Sequence, residues 1–171
     1  MQKKMNGAFY EQDAVVLAKA LLGKVLCRKI DGKPEPIRLR ITETEAYMDN
    51  DSACYGVLRN SNTEVLFSKG GCAFVYGGMF MVVAGPEEKP QNVLIRSVDG
   101  ISGPIKVANF FQIDKSLSGE GLTSDAIWIE DDGVIVDEQS IRVLCRKGLS
   151  ESDDIKPEDR CKPWRFILNQ S

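Results

Sequence analysis

Apolar residues fall into short runs separated by turn residues, and the period of the runs changes along the chain. Over residues 13–22 the apolar positions Val16, Leu17, Ala20 and Leu21 recur at helical spacing, with Asp13 placed as an N-cap and Gly23 as the stop. This predicts a short amphipathic helix. Residues 24–30 and 37–47 then read as strands on either side of Asp31-Gly32-Lys33-Pro34, a hairpin signal. Residues 49–62 carry turn residues without periodicity and read as a loop. After the turn at 68–71, residues 72–76 and 79–84 are predicted strands broken by Gly77-Gly78, and the turn at 85–90 leads to a strand over 92–98. Pro104 suits a first helical position and opens a predicted helix over 105–111. Segments 126–130, 134–137, 141–145 and 164–168 complete the strand candidates. There is no repeat, low-complexity tract or long linker. The expectation is a single α+β domain over 1–171, with a curved, antiparallel-rich, partly closed and barrel-like sheet flanked by helices.

Within the second strand, Glu43 and Glu45 stand two residues apart and so share a face, with Tyr47 on the same side. Paired carboxylates beside a flat ring suit hydrolysis at a planar group. Alternating Thr and Glu equally suit the solvated edge of a sheet, and the pattern by itself favours that reading.

Composition narrows the chemistry. At 171 residues the chain is long enough to bury a core as one domain. The apolar fraction of 43% and mean hydropathy of −0.20 are ordinary for a globular protein. Met1-Gln-Lys-Lys leads into no apolar segment and no stretch has the length of a membrane span, so a cytoplasmic protein without a membrane partner is expected. Five cysteines, an odd number without a CxxC pair, suggest neither a disulfide framework nor a zinc site. The absence of histidine removes the commonest metal ligand and the commonest general base, leaving carboxylates, Lys, Tyr and Cys for acid–base work. Net charge is −3, unevenly spread: residues 1–40 hold nine Lys/Arg against four Asp/Glu, and residues 119–160 hold twelve acids against five bases. That asymmetry permits a basic face, although a charge run is usually solvated surface.

An ordered set of motifs resembles the alkyladenine (3-methyladenine, or methylpurine) DNA glycosylase family. The set comprises Phe9-Tyr10, Leu17-Ala18, Leu21-Leu-Gly-Lys24, Ile41-Thr-Glu-Thr-Glu-Ala-Tyr47, Thr63-Glu-Val-Leu-Phe67, Phe74-Val-Tyr76, Gly78-Met79, Val93-Leu-Ile-Arg96, Gly103-Pro104 with Lys106, and Lys162-Pro-Trp-Arg-Phe166. The resemblance implies base-excision repair by hydrolysis of the N-glycosidic bond of an alkylated purine flipped out of duplex DNA. It points to Glu45 as general base, to Arg96 as the residue holding the carboxylate and its water, and to a backbone carbonyl near Lys147 as the rest of the water site. Tyr47 and Tyr76 match tyrosines of the nucleobase pocket. Damaged duplex DNA is the implied partner. A monomer is expected with no obligate protein partner, and neither a cofactor nor a metal is called for.

The chain also departs from the family pattern. Tyr55 stands where a histidine usually contacts the base, Ala84 where an asparagine helps to exclude guanine, and Gly77-Gly78-Met79 where a wedge tyrosine fills the gap left by the flipped nucleotide. Met79 or Phe80 is the candidate wedge, and Lys106, near the start of the predicted helix, a candidate backbone contact beside Gly78. These departures keep two alternatives open: a catalytically idle DNA-binding relative, and a hydrolase of a small N-glycoside.

Overall fold

Asp13 caps the first helix as its position predicts, its side chain accepting the Val16 N–H at 3.0 Å. A computed structural model describes residues 2–149 and 154–169. Strand β1 (Lys3–Lys4) precedes helix α1 (Ala14–Leu21), and β2 (Val25–Arg28) and β3 (Ile37–Tyr47) follow as an antiparallel pair. Next come β4 (Ala73–Tyr76), β5 (Met79–Ala84), β6 (Gln91–Val98), β7 (Ile101–Ser102) and helix α2 (Pro104–Phe110). Strands β8 (Ile127–Asp131) and β9 (Ile141–Leu144), the one-turn helix α3 (Pro157–Arg160) and β10 (Arg165–Leu168) complete the order.

The strands pair in the order β1-β8-β2-β3-β6-β5-β4, with β10 bridging β3 and β9 and β7 lying on β6, all antiparallel. The result is the curved antiparallel-rich α+β architecture expected from the sequence. Strand β3 organises it. Along one edge its first half pairs with β2 and its second half, Glu43 to Glu45, with β10, while β6 follows its other edge. At the change of partner the β3–β6 register shifts between Ile41 and Thr44. A bulge re-aims side chains, and here Ile41 enters the main core together with Ala46, while Thr44 donates to the Ala18 carbonyl of α1.

Alternation then gives the sheet two buried faces. Ala73, Val75, Phe80, Val82, Ala84, Val93 and Ile95 join α1 and α2 in the main core. Phe74, Met81, Val83, Leu94 and Tyr47 form a second cluster on the opposite face. The β4–β5 turn is a two-residue hairpin in which Gly77 and Gly78 both have positive φ, +57° and +75°, which only glycine adopts without strain.

Two expectations are corrected. Residues 134–137 are not a strand: Gly133 turns the chain at φ +88°, and the segment runs on without a ladder, a Val136 methyl occupying the place where a side chain on Gly23 would begin. Cys145 and Cys161 form a disulfide, which the odd cysteine count and wide spacing had concealed. Among the described residues no helix is long and apolar enough to cross a membrane.

Candidate active site

Glu45 is fully buried in the middle of the sheet, so the exposed-edge reading of the Thr/Glu alternation does not hold. Each of its oxygens is engaged. Oε1 accepts the Lys147 backbone N–H at 2.6 Å and lies 3.4 Å from Arg96 Nη1; Oε2 accepts the Tyr47 hydroxyl at 2.8 Å. Burial pushes the Glu45 carboxyl above the ordinary range, and the Lys147 N–H, Arg96 and Tyr47 only partly counter it.

Glu43 lies on the same face and has the opposite fate. Its Oε1 accepts Arg165 Nε at 2.8 Å and sits 3.3 Å from Arg96 Nε, and its Oε2 accepts Ser97 Oγ at 2.7 Å. Burial opposes ionisation here as well, but the hydrogen bonds from Arg165 and Ser97 and the charges of both arginines outweigh it, holding the carboxyl low. The environment thus separates two chemically identical groups into a fixed counter-ion, Glu43, and a poised carboxylate, Glu45. Arg96 touches both by charge, while its Nε makes no hydrogen bond, so the guanidinium keeps donor capacity.

A cavity of about 370 Å³ opens beside these groups. Met79 and Met81 of β5 and Leu94 of β6 line it, as do the rings of Tyr47 and Tyr55, with Arg96 and Lys147 adding polar groups. Both tyrosine walls are backed. The Tyr55 ring lies 4.5 Å from that of Tyr76, so Tyr76 supports the wall rather than lining this cavity. The Arg146 guanidinium lies 4.7 Å from the Tyr47 ring and 5.2 Å from that of Trp164. Arg146 pairs with Asp51, both side chains being fully buried, and donates to the carbonyls of Ala46 and Asp159. Asp159 in turn accepts from the Ser52 N–H and hydroxyl. Sequence reasoning missed Arg146, Asp51 and Asp159, because no local pattern links residues about a hundred positions apart.

Of the residues singled out in the sequence, Arg96, Tyr47, Tyr55, Met79 and Lys147 line the cavity, and Glu45 lies behind them, bonded to Tyr47 and the Lys147 N–H. Ala84 does not. It is fully buried on the main-core side of β5, and its neighbour Val83 is the one on the cavity side of the sheet. Phe80 is likewise fully buried in the main core, which corrects its candidacy as a wedge. The physical reason is the same for both: successive strand residues point to opposite faces. Gly78 is exposed at the tip of the β4–β5 hairpin, and Lys106 is exposed on α2, whose first residue, Pro104, borders the cavity. A larger cleft of about 920 Å³ lies elsewhere, between α1 and residues 133–138, without a comparable convergence of buried charged groups. Among the described residues no cluster of potential metal ligands is present.

The profile of the family described as "Methylpurine-DNA glycosylase (MPG)" matches residues 8–102, which include Glu43, Glu45, Tyr47 and Arg96. The chain belongs to the methylpurine-DNA glycosylase family. It is 35% identical to a Borreliella afzelii protein named "Putative 3-methyladenine DNA glycosylase", over 96% of this chain and 95% of that one. Relatives with the same printed name from Borreliella burgdorferi (36% identical, 98% and 97% covered) and Clostridium beijerinckii (32% identical, 96% and 95% covered) match over similar spans. The family membership therefore extends to the segment bearing Arg146, Lys147 and Arg165, beyond the residues that the profile matches.

Proposed function

We propose that this chain is a DNA glycosylase that removes alkylated purines from duplex DNA by hydrolysing the N-glycosidic bond. The observation that carries this reading is Glu45, fully buried directly behind a cavity faced by two tyrosines and held by three residues that line it, Tyr47, Lys147 and Arg96. A purine rotated out of the helix enters between Tyr47 and Tyr55, where stacking contributes roughly 1–3 kcal/mol per base and does not depend on base identity. Met79, at the foot of the glycine hairpin, supplies the apolar side chain that occupies the gap in the stack.

In the reaction Glu45 accepts a proton from a water molecule whose oxygen attacks C1′ of the sugar. Arg96 and the carbonyl of Lys147 help to orient that water. Because the Lys147 N–H and the Tyr47 hydroxyl already fix the carboxylate, little reorganisation is needed when the proton arrives. The product is free base and an abasic strand.

The test is base release from duplexes containing 3-methyladenine or 7-methylguanine, under single-turnover conditions. Wild type is expected to release free base, and Glu45→Gln, nearly isosteric, to lose about 10²–10⁴ in rate while melting normally and retaining DNA binding. No release by wild type, with DNA binding intact, would sink the catalytic reading and leave a binding protein.

A further inference from the structure

Among the described residues, the cavity has a candidate base behind its wall, Glu45, and no candidate acid beside it. Cleavage of the C1′–N9 bond sends its electron pair into the purine ring. When N3 or N7 carries an alkyl group the ring is already cationic, so that pair neutralises it and the base departs as a neutral molecule. Water adds its oxygen to C1′ and its proton to Glu45, and the step balances with no further donor. When the purine is neutral the same pair would leave an anion, and the protein must deliver a proton to the ring as the bond breaks.

Among the described residues, the groups facing the cavity do not meet that second demand. The chain contains no histidine at all. The Tyr47 hydroxyl donates its hydrogen to Glu45 Oε2, and burial, followed by the charge of Glu45, drives its ionisation well above the ordinary tyrosine range. Tyr55 is also pushed up, by burial and then by Tyr76, so its phenol is a weaker acid than a free one. Arg96 is a guanidinium, which does not surrender its proton in proteins. Lys147 donates its backbone N–H to Glu45, and its side chain is open to solvent. Glu45 cannot serve as acid while it acts as the ionised base. The rest of the surface is apolar where Met79, Met81 and Leu94 form it, and so offers little with which to read the exocyclic groups of a base.

We propose, resting on the glycosylase reading above, that the substrates of this site are purines already cationic before cleavage, and that neutral purines, damaged or normal, are bound without being cut. Discrimination is then made by leaving-group chemistry instead of by hydrogen bonding. A loose apolar pocket of this kind spares ordinary adenine and guanine because they lack the charge, not because they fail to fit.

The experiment measures single-turnover release from four duplexes, two with cationic lesions (3-methyladenine, 7-methylguanine) and two with neutral ones (ethenoadenine, hypoxanthine), across the near-neutral pH range. Each rate is divided by the spontaneous rate for the same lesion. The expected enhancement is about 10²-fold or more greater for the cationic pair, the size of a missing general-acid contribution. Its pH profile should rise with ionisation of one group and show no alkaline decline. Comparable enhancements for neutral and cationic lesions, or a rate for the cationic pair that falls again as a second group loses its proton, would overturn the proposal and leave the glycosylase reading standing. Release of none of the four would overturn both.

Discussion

Two glutamates two residues apart end in opposite electrostatic states because of which arginines reach them, and that difference is testable at the level of single groups. In the proposed reaction Glu45 must be ionised to accept a proton from water. Its carboxyl is raised by burial, so the acid limb of the rate profile should lie above the ordinary glutamate value of 4.5. Glu43 supplies a negative charge between Arg96 and Arg165. Replacing it by Gln leaves both guanidiniums uncompensated beside Glu45, a field that favours the ionised form. Glu43→Gln is therefore expected to move the acid limb to lower pH even where the maximal rate also falls. An unshifted limb would limit Glu43 to a packing role. The stability linkage has opposite signs at the two sites. The raised Glu45 binds its proton more tightly in the native state, so its contribution is greatest at acid pH and is lost as pH rises through its folded value. The lowered Glu43 contributes above the ordinary range and loses that contribution as pH falls through its folded value.

At the scale of elements, the strands in the first half of the chain were legible because each has one dominant period and glycine or proline at its ends. Strands β3 and β5 fall on the predicted residues, and α1 begins at its predicted cap. The two-residue β1 and the strandless 134–137 were not legible, since a short ladder depends on a distant partner and alternating Val and Ile satisfy packing equally well. Assignment of faces on β5 was the finer failure. The family resemblance aligned Ala84 with a pocket position, but the tight Gly77-Gly78 turn fixes the pairing of Tyr76 with Met79 and so sends Phe80, Val82 and Ala84 to the core. The two faces give contrasting expectations for adjacent residues. Phe80→Ala empties a fully buried site and should cost about 3–5 kcal/mol in denaturant unfolding. Met79→Ala, at a partly exposed position lining the cavity, should lower single-turnover base release with a much smaller loss of stability. Stability hardly changed in the first, or release unimpaired in the second, would reverse the facing of β5 proposed for function.

Over the whole molecule, distant segments are brought together by charge and then fixed at the site by a covalent link. The basic stretch 1–40 and the acidic stretch 119–160 do not form separate faces alone: Lys4 pairs with Asp125, Lys24 with Asp131, Arg38 with Glu130 and Arg40 with Asp132, along the β1–β8–β2–β3 part of the sheet. These partly exposed pairs each contribute little. The clamp over Glu45 is of another kind. Cys145 stands immediately before Arg146 and Lys147, and Cys161 two residues after Asp159, so the disulfide ties both ends of the segment whose Arg146 backs Tyr47 and whose Lys147 N–H holds Glu45. A link spanning 16 residues should contribute on the order of 3 kcal/mol by restricting the unfolded chain. In a protein of this size that corresponds to a melting temperature roughly 6–12 °C lower without it. Since the enclosed segment reaches the site, Cys145→Ser with Cys161→Ser should also reduce base release at temperatures where the double variant remains folded. It should raise the apparent pKa of the acid limb further, because Glu45 loses the Lys147 hydrogen bond that offsets its burial. A variant that melts lower but keeps the wild-type rate and acid limb would confine the disulfide to global stability, and would mean that the Arg146–Asp51 pair positions Lys147 unaided.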